Sequence, residues 1–319
     1  MLLFSLLLLF CSALSRFHLL ELVADKTSFL QASCSVFFTS RLSSGELASA
    51  FICGTSIRDP FAHQIFVQTS LIHLMVVSGS HLQMLSQLLF WITPTRWKSR
   101  PLEFTISLLL IFYALLTGFQ PPVVRALISR LLLVFSRFFG WGWDSGKINL
   151  VSGLMLLALS PLWIYNFSFF LSWLACLGLM VAPWCFPAAW RPQRRWLAKA
   201  SSVLQFWLSC FCVQVLMSVA LSSFSLLGLL MNSLVAPLIS LALFPLSLSI
   251  VFIPALHGFI DAIWAELLRF LQYFAEIAAP STASSFPSPE RWLPLWIFLA
   301  FIHGFFEFLQ RTRYRGSPV

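Results

Sequence analysis

The chain has 319 residues, with 20 Lys and Arg against 11 Asp and Glu, a net charge of +9, and 59% apolar side chains. Charged residues make up 10% of it, where soluble domains carry about 25%, and a chain of this length cannot hide so much apolar surface in one core. A soluble enzyme, a disordered chain and a disulfide scaffold are excluded. The runs at 102–116 and 226–253 are continuously apolar, without the alternation of barrel strands, so they read as helices.

The expected fold is all-α: a polytopic transmembrane bundle of about nine to eleven membrane segments. Residues 1–40 hold the N-terminal membrane segment or segments. In 2–14 the apolar run precedes the first basic residue, Arg16, the reverse of a signal peptide, so it reads as retained. Residues 29–38 are too short to cross alone. Residues 41–63, with Arg41, Glu46, Arg58, Asp59 and His63 among Leu42, Leu47, Phe51 and Ile52, suit an interfacial amphipathic helix or a plain loop.

Residues 64–310 form the main transmembrane domain, and 311–319 a basic tail. Its first region, 64–92, is interrupted at Val77-Ser-Gly-Ser-His81, which predicts a broken or re-entrant helix. Further spans follow at 102–118, 122–140, 148–164, 167–187, 200–221, 226–252, 258–278 and 292–310. Pro121, Pro122, Pro161, Pro183 and Pro187 mark their ends, and Pro237 and Pro245 predict a kink inside 226–252. Arg96, Lys98 and Arg100, then Arg191, Arg194, Arg195 and Lys199, then Arg311, Arg313 and Arg315 fall on one side of this arrangement. The positive-inside rule makes that side, and the C-terminus, cytoplasmic. Much of the +9 is thus a matter of topology.

Cys11, Cys34, Cys53, Cys176, Cys185, Cys210 and Cys212 include no CxxC pair and lie mostly in apolar runs. They read as small buried hydrophobes, without metal or redox chemistry.

Four constellations stand out. In 70–87, His73, Ser78, Gly79, Ser80, His81 and Gln83 place polar groups inside an apolar segment, where they line a wet pathway or hold helices together. In 113–130, Gly118 precedes Arg125 and Arg130. Arg125 either snorkels to the interface or turns inward, and Arg130 shares a helix face with Arg137. In 160–178, Phe169 and Ser172 belong to an aromatic-rich stretch that suits an interfacial belt or a stacking platform for bases. Asn232, in Gly228–Pro237, needs a hydrogen-bond partner. Metal motifs, a phosphate loop and a complete nucleophile elbow are missing, so no catalytic residue, metal or cofactor is assigned.

In order, these blocks resemble the membrane-embedded competence domain of the ComEC family of DNA-internalisation proteins. The family's H-L-L-A-x-S-G-L-H is similar to His73-Leu-Met-Val-Val-Ser78-Gly79-Ser80-His81. Its Y-x-x-L-T-G-x-x-P-S-V-x-R-A is similar to Tyr113 through Ala126, its P-x-x-L-x-x-x-x-F-Q-L-S-F-x-A to Pro161 through Ala175, and its N-L-x-x-x-P to Asn232 through Pro237. Ser80 replaces the family's Leu, and Phe170 its Gln.

The resemblance implies a bacterial inner-membrane channel component that passes single-stranded DNA into the cytoplasm during natural transformation. Its partners would be the lipid bilayer, single-stranded DNA, a periplasmic DNA receptor, a cytoplasmic translocase and a separate nuclease, with room for a homo-oligomer. A polar or basic conduit and base-stacking aromatics suit such a polyanion. Two other classes fit a broken helix with a buried Arg: a transporter or flippase for a smaller anion or lipid, and an intramembrane hydrolase using the serines with His73 or His81.

Overall fold

The computed structural model describes residues 19–75, 77–93, 100–185 and 226–277, with scattered positions in 201–215 and 294–305. Among these every regular element is helical, as runs of Leu, Phe and Ala punctuated by Pro, Gly and capping residues dictate. In chain order they are α1 Leu19–Lys26, α2 Ser28–Thr39, α3 Gly45–Cys53, α4 Pro60–Gln68, α5 Ile72–Met75, α6 Gly79–Ile92, α7 Arg100–Leu116, α8 Pro121–Phe139, α9 Ser145–Leu159, a 3-10 turn Pro161–Tyr165, α10 Phe167–Cys185, α11 Leu227–Ser249, α12 His257–Ile277 and α13 Trp296–Phe305. The expected segments at 2–14 and 200–221, and much of 292–310, lie outside the described residues.

Local chemistry sets the boundaries. Asp59 accepts the Phe61 N–H at 3.0 Å ahead of Pro60, and Asp144 accepts the Lys147 N–H at 2.8 Å to start α9. Pro121 opens α8 and Gly140, left-handed, ends it. The helix expected across 64–92 is broken between α4 and α5 and again before Gly79.

The described residues fall into two compact units, one drawn from His18–Gly140 and Ser225–Ala283, the other from Trp141–Phe224 and Ser284–Val319. In the first, α2 and α3 form a tight antiparallel hairpin. A Cβ on Gly45 would lie 2.5 Å from the Phe38 carbonyl oxygen, so only glycine permits this approach. Cys34 and Cys53 are joined by a disulfide, with Cα atoms 5.9 Å apart, and Ser49 Oγ donates to Ser35 Oγ at 2.9 Å.

Two expectations are corrected here. Apart from Glu46, every residue of α3 is buried, so this part of 41–63 is a packed helix and not an interfacial one, while 54–59 is loop. The apolar stripe of α3 is too weak to reveal that α2 and the surrounding helices cover all sides. Cys34 and Cys53 are also not free buried thiols: the turn at 40–44 brings together residues 19 apart.

The hairpin is tied to the far end of the unit's sequence. The Asp261 carboxylate on α12 accepts the Ser43 N–H at 3.1 Å, the Ser44 N–H at 2.8 Å and the Ser44 hydroxyl at 2.6 Å. It caps α3 in trans, satisfying donors that a helix start leaves free. α12 buries Ile260, Trp264, Leu271 and Ala275 on one face and exposes Glu266, Arg269 and Glu276. With four charges it is not an apolar span of the kind expected at 258–278. Among the described helices, α11 alone is long and apolar enough to cross a membrane, with mean hydropathy 2.0 over a window within its 23 residues.

In the stretch where a kink was expected, α11 widens into π turns at Met231–Val235 and Ile239–Leu243. Each holds the residue four before a proline, Ser233 before Pro237 and Leu241 before Pro245. Widening moves the carbonyl that the ring would strike and absorbs the missing N–H.

In the second unit, Phe169, Phe170, Trp173 and Trp296 pack edge-on or tilted at centroid distances of 5.5–6.3 Å. Trp173 lies so close to α9 that a Cβ on Gly153 would stand 2.4 Å from its ring.

Asp261→Ala should lower stability by about 1–2 kcal/mol, as loss of a helix cap does. Thermal unfolding of the detergent-solubilised protein measures this, and an unchanged Tm would count against the trans cap.

Candidate functional site

Three of the four blocks meet in the first unit: His73 to Gln83, Gly118 to Arg130, and Asn232. Phe169 and Ser172 belong to the other unit. Gly79 makes the closest join, since a Cβ there would lie 2.9 Å from Ala126 Cβ and 3.5 Å from the Pro122 carbonyl oxygen. α6 and α8 therefore touch where both blocks carry their small residues, as membrane helices do.

His81 is fully enclosed, at 0% exposure. Its ring stacks on Phe244 at 4.8 Å and takes an edge contact from Phe51, also at 4.8 Å. Trp264 backs Phe51 at 5.6 Å and donates its indole N–H to Ser247 Oγ at 3.3 Å. Tyr113 lies 6.2 Å from Phe244 and donates its hydroxyl to the Ile52 carbonyl at 3.2 Å. His81 Nδ1 accepts the Ser78 N–H at 3.1 Å, closing a capping box at the start of α6. The neutral ring then carries its proton on Nε2, which finds no partner among the described residues. The helix break thus turns His81, a path candidate in the sequence, into an aromatic box.

The opposite face of α6 differs. Ser80, Gln83 and Gln87 are exposed, at spacings of three and four residues that align them in one stripe. The Ser78 and Ser80 hydroxyls lie 2.6 Å apart at its head.

His73 is exposed, and its Nδ1 donates to the Ser70 carbonyl at 3.0 Å. Asn232 Nδ2 donates to the same carbonyl at 3.2 Å, which joins the first block to the last. Ser70 has φ +60°, a left-handed turn uncommon for a residue other than glycine. Asn232 sits in the first π turn of α11.

Arg125 is 3% exposed, so of the two sequence readings it turns inward. Arg130 is half-buried, its guanidinium 5.4 Å over the Phe90 ring. Its Nε and Nη2 meet no acceptor among the described residues. Arg137, on the face predicted for both, instead pairs with Glu103 at 3.5 Å on the surface.

The turn around Gly118 is held from outside its own block. Gln31 Nε2 donates to the Cys53 and Gly54 carbonyls at 3.1 Å and to the Thr117 carbonyl at 3.4 Å. Gln120 Nε2 also donates to the Gly54 carbonyl. Gly118 itself has φ +69°, where glycine is favoured.

In the second unit Asn166 Oδ1 accepts the Phe169 N–H at 3.1 Å and the Ser168 hydroxyl at 2.7 Å, starting α10. Phe169, the residue expected in a belt or stacking platform, lies inside the aromatic cluster at 0% exposure. Ser172 is half-buried. Tyr165 is the exposed aromatic of this block.

Sequence reasoning missed Gln31, Phe244 and Trp264, and gave Phe51 and Asp261 no part in this site. For Phe51 and Phe244 no local signal exists; they look like any apolar residue. Gln31 and Asp261 were visible as rare polar groups inside apolar runs. No group of three His, Cys, Asp or Glu suited to a metal occurs among the described residues.

Residues 57–311 match the model of the Competence protein family. Competence protein ComA of Neisseria gonorrhoeae is 27% identical over 248 residues, 72% of this chain and 34% of that protein. An uncharacterized protein of Aquifex aeolicus is 31% identical over 134 residues, 41% of this chain and 32% of that one. The chain thus spans about a third of the length of these relatives. No solved structure matches. With most of its length inside the family match, and with the ordered blocks meeting as described, the chain belongs to the Competence protein (ComEC) family.

Proposed function

We propose that this protein is a polytopic inner-membrane component that conducts single-stranded DNA into the cytoplasm during natural transformation. Family membership supports a competence role. The observation that carries the finer reading is the division of α6 into two faces. His81 faces inward and holds the helix break, while Ser80, Gln83 and Gln87 face outward. In a lipid-embedded helix such a stripe needs water or a polar ligand beside it.

A strand passing along the stripe would meet uncharged hydrogen-bonding groups, which suit passage better than tight binding. Arg130 offers guanidinium nitrogens that no described acceptor uses, and a phosphate would relieve that cost. The partners of this reading are a periplasmic DNA receptor, a cytoplasmic translocase and a separate nuclease.

Two independent features favour the same orientation. Lys and Arg at 96–100 put that end of α7 in the cytoplasm. The Cys34–Cys53 disulfide stands beside the opposite end, near Thr117, and disulfides persist in oxidising compartments. On this reading the 117–120 turn faces the periplasm. A hydrolase with His81 as its base is disfavoured because the Nδ1 lone pair of His81 already accepts the Ser78 N–H. A flippase for a smaller anion shares the geometry and is separated by experiment.

Deleting the gene should abolish internalisation of labelled DNA while surface binding persists; unchanged internalisation would sink the proposal, and altered lipid or small-anion traffic alone would favour the flippase. For the purified protein in nanodiscs, Arg130→Ala should flatten the log–log salt dependence of oligonucleotide binding by about 0.7, one phosphate contact on a single strand. An identical slope would remove Arg130 from the path. His81→Ala should cost about 2–4 kcal/mol, as large-to-small core changes do. His81→Gln should recover much of that, since Gln at this position closes the same capping box. Equal losses in unfolding experiments would show that the ring acts otherwise than as a cap.

A further inference from the structure

The hairpin α2–α3 precedes the family match at 57–311, yet it is built into the turn that carries the second block. Four ties hold it there. Gln31 bridges the Cys53, Gly54 and Thr117 carbonyls. Gln120 donates to Gly54. Tyr113, near the end of α7, donates to the Ile52 carbonyl at 3.2 Å. Gly118 lacks a side chain where a Cβ would stand 2.5 Å from Gln31 Oε1, and Gly54 lacks one where a Cβ would stand 2.8 Å from Gln120 Nε2.

The carbonyls that Gln31 holds are those left free where α3 and α7 end. One side-chain amide therefore joins two helix C-termini. The disulfide grips the same place. Cys34 lies one turn after Gln31 on α2, and Cys53 is the residue whose carbonyl Gln31 holds.

We propose that the disulfide-closed hairpin is a positioning clamp on the Thr117–Gln120 turn. It fixes where α8 begins, and so where Arg125, in the second turn of α8, and Ala126, against Gly79, come to lie. Gln31 is the positioning residue, acting through the turn and not on a ligand. The clamp closes when the two thiols give up two protons and two electrons to an oxidised dithiol partner, whose own disulfide is reduced to two thiols by exchange. The bearing of the clamp on DNA passage rests on the function proposed above; the clamp itself does not.

The test uses the full chain in its native membrane. The pair Gln31→Cys and Gly118→Cys, in a Cys34→Ser and Cys53→Ser background, should form a crosslink on mild oxidation. Failure of that crosslink in protein that reaches the membrane overturns the clamp. In the otherwise native chain, Gly118→Ala should lower internalised DNA about tenfold, the scale of one lost coupling interaction. Adding Gln31→Ala should restore part of the loss, because it vacates the space the new Cβ needs. A pair whose losses simply multiply also overturns the proposal. If the crosslink forms but the deletion strain still internalises DNA, the DNA reading fails and the clamp stands.

Discussion

Each break in a helix inside an apolar environment frees N–H and C=O groups that water cannot reach, and this protein has few polar residues with which to answer them. Their positions follow from that constraint. Gln31 and Gln120 answer the ends of α3 and α7. His73 and Asn232 share the Ser70 carbonyl. His81 takes the Ser78 N–H, Asn166 the Phe169 N–H, and Trp296 donates to the Ile164 carbonyl at 2.9 Å. Asp261 performs the same service for α3 from the other end of the unit.

This divides the polar residues of the blocks into two kinds. His81 and Asn232 hold backbone groups, and Gly79 and Gly118 allow close approach. Ser80, Gln83 and Gln87 lie on the exposed face of α6. A polar residue in an apolar run is therefore not by itself a sign of a pathway. His81 shows the point most clearly: it sits in the most recognisable block, yet Phe51 and Phe244 enclose it, with Trp264 behind Phe51.

Much of this was legible in the sequence. The all-helical class followed from continuous apolar runs, and the break before His81 from Val77-Ser-Gly-Ser. The bounds of α7, α8 and α10 followed from Pro121, Gly140 and the aromatic block. What was not legible is what depends on residues distant in sequence. Whether Arg125 snorkels or turns inward is decided by the helices around it. Whether Cys34 is a thiol or half of a disulfide is decided by the turn at 40–44. The burial of Phe169 depends on Trp296, over a hundred residues away. The prolines of α11 were visible, but the π turns that accompany them were not.

The central claim is that the outward stripe of α6, and not its inward histidine, meets the strand. Photo-crosslinking during DNA uptake tests it most directly, with a photoreactive residue placed singly at positions 81, 83 and 87. The account predicts adducts with labelled DNA from 83 and 87 and none from 81. Adducts from 81, or none from 83 and 87 while uptake continues, would contradict it.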